Sequence, residues 1–124
     1  KLKAERVENR LLHWQQIAVS ASEQCGRLDV PIINEPLQLS EWLGSSRPSV
    51  TVVIDPKGEA NLSDLPTSNS INLIVGPEGG FAEEELLAAK KSGCTIAVLG
   101  SRILRTETAP IAALAILQHL YGDL

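Results

Sequence analysis

The chain has 124 residues, a hydrophobic fraction of 44% and a formal net charge of −4, which describes one domain with a real core and excludes disorder throughout. The acidic balance argues against a nucleic-acid grip made by this segment alone, while leaving room for a local basic patch or a neighbouring basic domain. No run of about 18 apolar residues occurs, so no membrane-spanning helix is expected, no signal peptide is visible, and the expected location is cytoplasmic. The chain opens on Lys1 rather than Met and reads as a piece of a longer protein. Cys25 and Cys94 are isolated thiols without CxxC spacing or a nearby His pair, so both are expected to be reduced and partly buried, with no metal site.

Taken in chain order, residues 3–24 read as an amphipathic helix, because Val7, Leu11, Trp14, Ile17, Ala18 and Ala21 recur at three- and four-residue steps. Gly26 is placed to end it. "VPII" reads as a short extended piece, and "EPLQLSEWLGS" as a short second helix. "SVTVVID" (49–55) is a β-branched run of strand length. The polar "PKGEANLSDLPTSNS" is a loop with a helical turn near Leu62 to Leu65. "INLIVG" is the next strand. "AEEELLAAKKSG" (82–93) is a helix with acids in its first turn and lysines in its last, the charge order that the helix dipole favours. "TIAVLG" is a third strand, "SRILRTET" a loop, and "APIAALAILQHLYG" a helix with Pro110 near its first turn.

Strand, loop and helix thus alternate twice, each strand closing on Gly. The pattern predicts an α/β fold with a mostly parallel sheet flanked by helices. In such sheets ligands sit beyond the carboxyl ends of the strands, so loops 76–81 and 100–109 are expected on that edge. "GPEGGFAEEE" lacks the Lys of a P-loop and the spacing of a dinucleotide fingerprint. Glu78 and the acids at 83–85 would also repel a polyphosphate. Gly79 and Gly80 permit close backbone approach to a ligand without phosphate. A tight strand-to-helix turn that needs glycine for geometry alone is the other reading. In the second loop, Ile103 and Leu104 stand between Arg102 and Arg105, which favours a pocket wall over a simply solvated loop.

"LIVGPEGGFAEEEL", "VLGSRILRTETAPIAAL", a closing "GDL" and the earlier "ASEQCGRLDVP" together resemble the RsmE family of ribosomal RNA methyltransferases. That family belongs to the SPOUT superfamily, whose members carry a C-terminal trefoil knot. The resemblance spans most of the chain. It implies methyl transfer from S-adenosylmethionine to N3 of one uridine in 16S rRNA of the small ribosomal subunit, by a homodimer that uses no metal. The implied cofactor-binding residues are Val75, Gly76, Pro77, Glu78, Gly79 and Gly80, then Leu99, Gly100, Ser101, Ile103, Leu104 and Thr108. A related enzyme acting on tRNA or a ribose, and a non-catalytic cofactor-binding or dimerisation module, are the alternatives.

Arg105 and Glu107 are the implied catalytic residues. Arg105 either stabilises a uracil anion or holds a phosphate, and Glu107 either accepts the imide proton or orients Arg105. Arg27 and Arg10 are candidates for RNA contact, against a structural ion pair for Arg27 and an exposed helix charge for Arg10. His13 and His119 lie mid-helix without a partner motif and read as surface or packing residues. Trp14 and Trp42 read as core or interface anchors. Two departures from the family pattern stand out. Ala82 replaces the usual Ser or Thr of a capping box whose Glu85 remains. Full-length members also begin with a PUA-like RNA-binding barrel and the first strand and helix of the methyltransferase domain, and this chain is expected to start after both.

Overall fold

A computed structural model describes residues 2–47 and 49–124. The chain divides into two compact units, one ending at Gln38 and the other spanning Leu39–Leu124. In the first, helix α1 (Leu2–Cys25) stops where expected. Gly26 takes a left-handed φ of 78°, and the N–H groups of Gly26 and Arg27 donate to the carbonyls of Glu23 (3.4 Å) and Ser22 (2.9 Å). These two bonds form a Schellman cap. Residues 27–38, "VPII" included, contain no helix or strand. Of the apolar stripe on α1, only Leu11 and Ala18 are half-buried, while Trp14 and Cys25 are exposed, contrary to a core place for the one and partial burial for the other.

The second unit is built on a parallel sheet of β1 (Val50–Ile54), β2 (Ile71–Val75) and β3 (Thr95–Ala97), in the order β2-β1-β3. The register runs Val50↔Ile71 to Ile54↔Val75 on one side of β1. On the other side it runs Val52↔Thr95 to Ile54↔Ala97. Period-two alternation sends neighbouring residues to opposite faces. Val53, Ile74 and Ile96 pack with Leu43 and Trp42 of helix α2 (Leu39–Leu43), and with Leu86 and Ala89 of helix α3 (Glu83–Lys91). Val52, Leu73 and Ala97 pack on the other face, against Leu62, Leu65 and the inner residues Ala113 and Leu117 of helix α4 (Ala109–Tyr121). The Tyr121 hydroxyl donates to the Leu62 carbonyl at 2.6 Å, fastening α4 to the 3-10 turn at Leu62–Asp64.

Two elements are shorter than their sequence patterns. Helix α2 begins only at Leu39, and its last turn is closed by the Arg47 guanidinium. That group donates to the carbonyls of Trp42 and Leu43 at 2.7 Å each and lies 4.5 Å over the Trp42 ring. Strand β3 stops at Ala97 because its backbone partner changes. Beyond Ile54 the chain turns back, Asp55 N–H donates to Ala97 O at 3.0 Å, and Val98 N–H donates to Ala60 O at 3.0 Å. Ala60 and Ala97 form an isolated parallel bridge there. No helix is long and apolar enough to cross a membrane.

Candidate functional site

Strand β1 is central, and its two neighbours were reached by crossovers in opposite directions, so its carboxyl end is a topological switch point. A cavity of about 260 Å³ lies there, walled by the ends of β1 and β2 and by the segments that follow all three strands. From β1 come Ile54, Asp55 and Pro56. After β2 come Val75, Gly76, Pro77, Glu78, Gly79, Gly80 and Phe81. Beyond β3 come Val98, Leu99, Arg102, Ile103, Leu104 and Thr106, and Ala109 opens α4.

The first loop is a turn closed by a hydrogen bond from Gly80 N–H to the Pro77 carbonyl at 2.9 Å. Gly80 sits at φ 73°, a conformation that an L side chain rarely adopts. The chain then enters α3 through Ala82, whose N–H donates to Glu85 Oε1 at 2.8 Å. Ala82 has no hydroxyl to return the bond, so half of a capping box is present, as its sequence implies. The second loop turns at Gly100, with φ 68°, and ends where the N–H groups of Thr108 and Ala109 donate to the Arg105 carbonyl at 3.0 and 2.9 Å.

Of the residues expected to hold a cofactor, Val75 to Gly80, Leu99, Ile103 and Leu104 line the cavity. Gly100, Ser101 and Thr108 do not. Gly100 and Ser101 occupy the turn between two lining residues, Leu99 and Arg102, and Thr108 is the exposed N-cap of α4. Arg105 and Glu107 are brought together, with Nη1 and Oε1 4.0 Å apart, but both are largely exposed and neither lines the cavity. Arg10 and Arg27 are exposed residues of the first unit. His13 and His119 are exposed, and the His119 ring is 3.2 Å from the Leu124 carbonyl. Trp42 packs on the core as anticipated.

Sequence reasoning missed Asp55 and Pro56 as cavity residues, whereas Phe81, Arg102 and Thr106 lie in the two loops it placed on the ligand edge without being singled out there. The signal for Asp55 and Pro56 was available, since "VVIDP" ends a strand on the ligand edge just as "LIVGP" does. Charged residues on the wall are few: Asp55, Glu78 and Arg102. Its apolar side is Ile54, Val75, Phe81, Leu99, Ile103 and Leu104. Such a wall accepts a flat apolar group, while the turns offer backbone donors and acceptors and the carboxylates offer acceptors for cationic or hydroxyl groups. Nothing in it is a polyphosphate cradle. Among the described residues there is no cluster of three metal-ligating side chains.

Fold and site together define a parallel α/β domain with a ligand pocket at its carboxyl edge. The chain belongs to the RNA methyltransferase domain family, whose model matches residues 1–118. Among curated relatives it is similar to the ribosomal RNA small subunit methyltransferase E of Buchnera aphidicola subsp. Schizaphis graminum, at 38% identity over 91% of this chain and 47% of that protein. The Bacillus subtilis protein of the same name is 31% identical over 99% of this chain and 54% of its own length. Among solved structures, the ribosomal RNA small subunit methyltransferase E of Neisseria gonorrhoeae bound to S-adenosyl methionine superposes with a TM-score of 0.92 at 40% identity. That match covers 96% of this chain and 51% of the other. A Legionella pneumophila protein in complex with SAM gives a TM-score of 0.91 at 34% identity, over 98% of this chain and 50% of the other. The chain spans about half the length of the relatives it matches.

Proposed function

We propose that this chain is the cofactor-binding domain of an S-adenosylmethionine-dependent enzyme that methylates N3 of a uridine in 16S rRNA. The observation that carries the reading is the cavity itself. It lies where the parallel sheet directs a ligand, and it is walled by the two loops whose sequences carry the family resemblance. The likeness to a protein crystallised with S-adenosyl methionine, at a TM-score of 0.92, supports the same cofactor here. The donor set fits: apolar walls suit an adenine, and Glu78 suits a ligand that carries cationic groups and no phosphate.

When bound, the cofactor supplies a methyl group already activated on a sulfonium. What remains for the protein is alignment of the base, handling of the N3 proton and balance of the charge left on the uracil. Arg105 and Glu107, in the loop between the cavity and α4, are assigned these tasks. Arg105 stabilises the uracil anion, for which its permanently charged fork is suited. Glu107 takes the imide proton or holds Arg105 in place, and their 4.0 Å approach favours the orienting role. The knot implied by the family, a homodimer and a cytoplasmic ribosomal substrate belong to the same reading. The chain's charge of −4 and its half-length match support sharing the RNA grip with an RNA-binding region outside this segment, with Arg10 and Arg27 as local contacts.

Calorimetric titration with S-adenosylmethionine and S-adenosylhomocysteine, against ATP and NAD as controls, tests the cofactor. Nucleoside analysis of small-subunit rRNA treated with the whole protein tests the product, and a methylated ribose or tRNA in place of 3-methyluridine would overturn the assignment. Arg105→Ala is expected to lower the methylation rate about a hundredfold or more while leaving cofactor affinity within twofold, in line with the loss of one charge-stabilising group. Glu107→Gln separates the two roles: a base loses rate most at low pH, and an orienting group loses it evenly across pH.

A further inference from the structure

Asp55 is the cavity residue that this chemistry leaves unused. It follows β1 at the carboxyl end of the central strand, is only 5% exposed, and lines the cavity. Its Oδ1 accepts a hydrogen bond from the Lys57 backbone N–H at 2.8 Å. Among the described residues Oδ2 has no hydrogen-bond partner, and no cation lies within ion-pair distance. Lys57, two residues on, is 4.0 Å from Glu83 instead. No wholly buried side-chain oxygen among the described residues lacks a partner, so the free Oδ2 is accessible, on a residue that lines the cavity.

Burying a carboxylate is costly unless it is paired or fully hydrogen-bonded. A residue that only shapes the turn at Pro56–Gly58 needs a single acceptor atom, and Asn supplies that without the charge. The second oxygen, held at the switch point between the two loops, has a use only when a donor arrives in the cavity.

We infer that Asp55 is a ligand-binding residue whose free oxygen accepts a hydrogen bond from a hydroxyl or ammonium group of the bound methyl donor. The inference rests on the cofactor reading above and adds to it a recognition group on the central strand. Asp55→Asn keeps an acceptor for Lys57 N–H and nearly the same shape, and removes only the charge and the free acceptor.

The test titrates wild type and D55N with S-adenosylmethionine, S-adenosylhomocysteine and 5′-methylthioadenosine, which keeps the ribose and lacks the amino-acid portion. Unliganded unfolding midpoints are measured in parallel. The expected result is binding weakened about tenfold to a hundredfold in D55N, the range for losing a hydrogen bond to a charged group, with an unliganded midpoint equal to wild type or higher. Weakening with all three ligands assigns the ribose hydroxyls, and weakening only with the first two assigns the ammonium. Equal affinities in the two proteins overturn the inference and leave the cofactor reading standing. A lowered midpoint with unchanged affinity makes Asp55 a turn residue and also overturns it. Wild type that binds none of the three ligands overturns both.

Discussion

A hydrogen atom in place of a side chain decides two positions, one beside β3 and one on the cavity wall, for opposite reasons. A Cβ on Gly58 would stand 2.6 Å from the Ala97 carbonyl carbon and 2.8 Å from its oxygen, and both are backbone atoms that cannot rotate away. Gly58→Ala therefore forces the returning chain off β3 and is expected to cost about 1–3 kcal/mol, as overpacking does, read as a fall in urea midpoint. A Cβ on Gly79 meets nothing within 4 Å, so Gly79→Ala should leave stability within about 0.5 kcal/mol. Any loss of cofactor affinity in that variant is then contact with the ligand. The thiols divide in the same way. Cys94 is buried in the α3 face of the core, and burial pushes its pKa above the ordinary 9.0, opposed by the charge and hydrogen bond of Arg47. The unfolded chain releases this proton first, so the thiol's contribution to stability is complete below pH 9.0 and lost as pH rises through the higher folded value. A disulfide reagent at neutral pH should modify the exposed Cys25 quickly and Cys94 only on unfolding. At this scale the glycine turn was legible because glycines and proline announce a turn in one short window. Asp55 was not, because a charged residue's place on a cavity wall depends on which strand ends are neighbours, and that is set by the order β2-β1-β3.

Helix α3 shows how far local chemistry carries an element. Its first turn holds Glu83, Glu84 and Glu85, its last Lys90 and Lys91. Gly93 closes it at φ 87°, with Cys94 N–H donating to Ala89 O and Gly93 N–H to Lys90 O, both at 3.0 Å. The second Schellman cap in the chain was thus legible from a single glycine. The N-terminus is incomplete. Ala82 has extended backbone angles, φ −69° and ψ 155°, as an N-cap residue requires, and lacks only the oxygen. Ala82→Ser is expected to stabilise the chain by about 0.5–1 kcal/mol, seen as a higher urea midpoint with unchanged slope. Glu85→Ala in the same background should remove a comparable amount, since it deletes the bond to Ala82 N–H. An unchanged midpoint in A82S would show the first turn to be capped by other means. Helix α2 and strand β3 were overestimated for one reason. Their sequence patterns continue past the point where the local structure changes, at residues 35–38, which form no helix ahead of α2, and at Ala60, which replaces the strand partner of β3. Apolar periodicity measures a segment's fitness for an element, whereas the ends are set by which donor reaches the last carbonyl.

At the scale of the whole molecule, α4 is the element least accounted for by one chain. Its inward residues Ala109, Ala113 and Leu117 are buried on the sheet. Its outward residues are apolar too, with Ile111 72% and Leu114 51% exposed. A helix apolar on every side is ordinarily enclosed by protein, and an exposed apolar face of this kind ordinarily marks an interaction surface. The homodimer proposed above supplies the cover, because a two-fold axis at α4 would set the same residues of two copies against each other. The prediction is that the chain sediments as a dimer and that its thermal midpoint rises with protein concentration, as mass action requires when folded copies associate. Ile111→Lys with Leu114→Lys places charges in that contact and should yield a monomer at the same concentrations. Both side chains are already exposed in the single chain, so at high dilution the variant's unfolding free energy should stay within about 1 kcal/mol of wild type. A double variant that remains a dimer would move the interface elsewhere, and a wild-type chain that stays monomeric well above micromolar concentration would overturn the homodimer. Because Ala109, the first residue of α4, also lines the cavity, loss of the dimer is expected to weaken cofactor binding as well. Titrating the monomeric variant with S-adenosylmethionine measures that coupling directly: unchanged affinity would mean that the pocket is complete in one chain, and weakened affinity that the second copy helps to hold its wall.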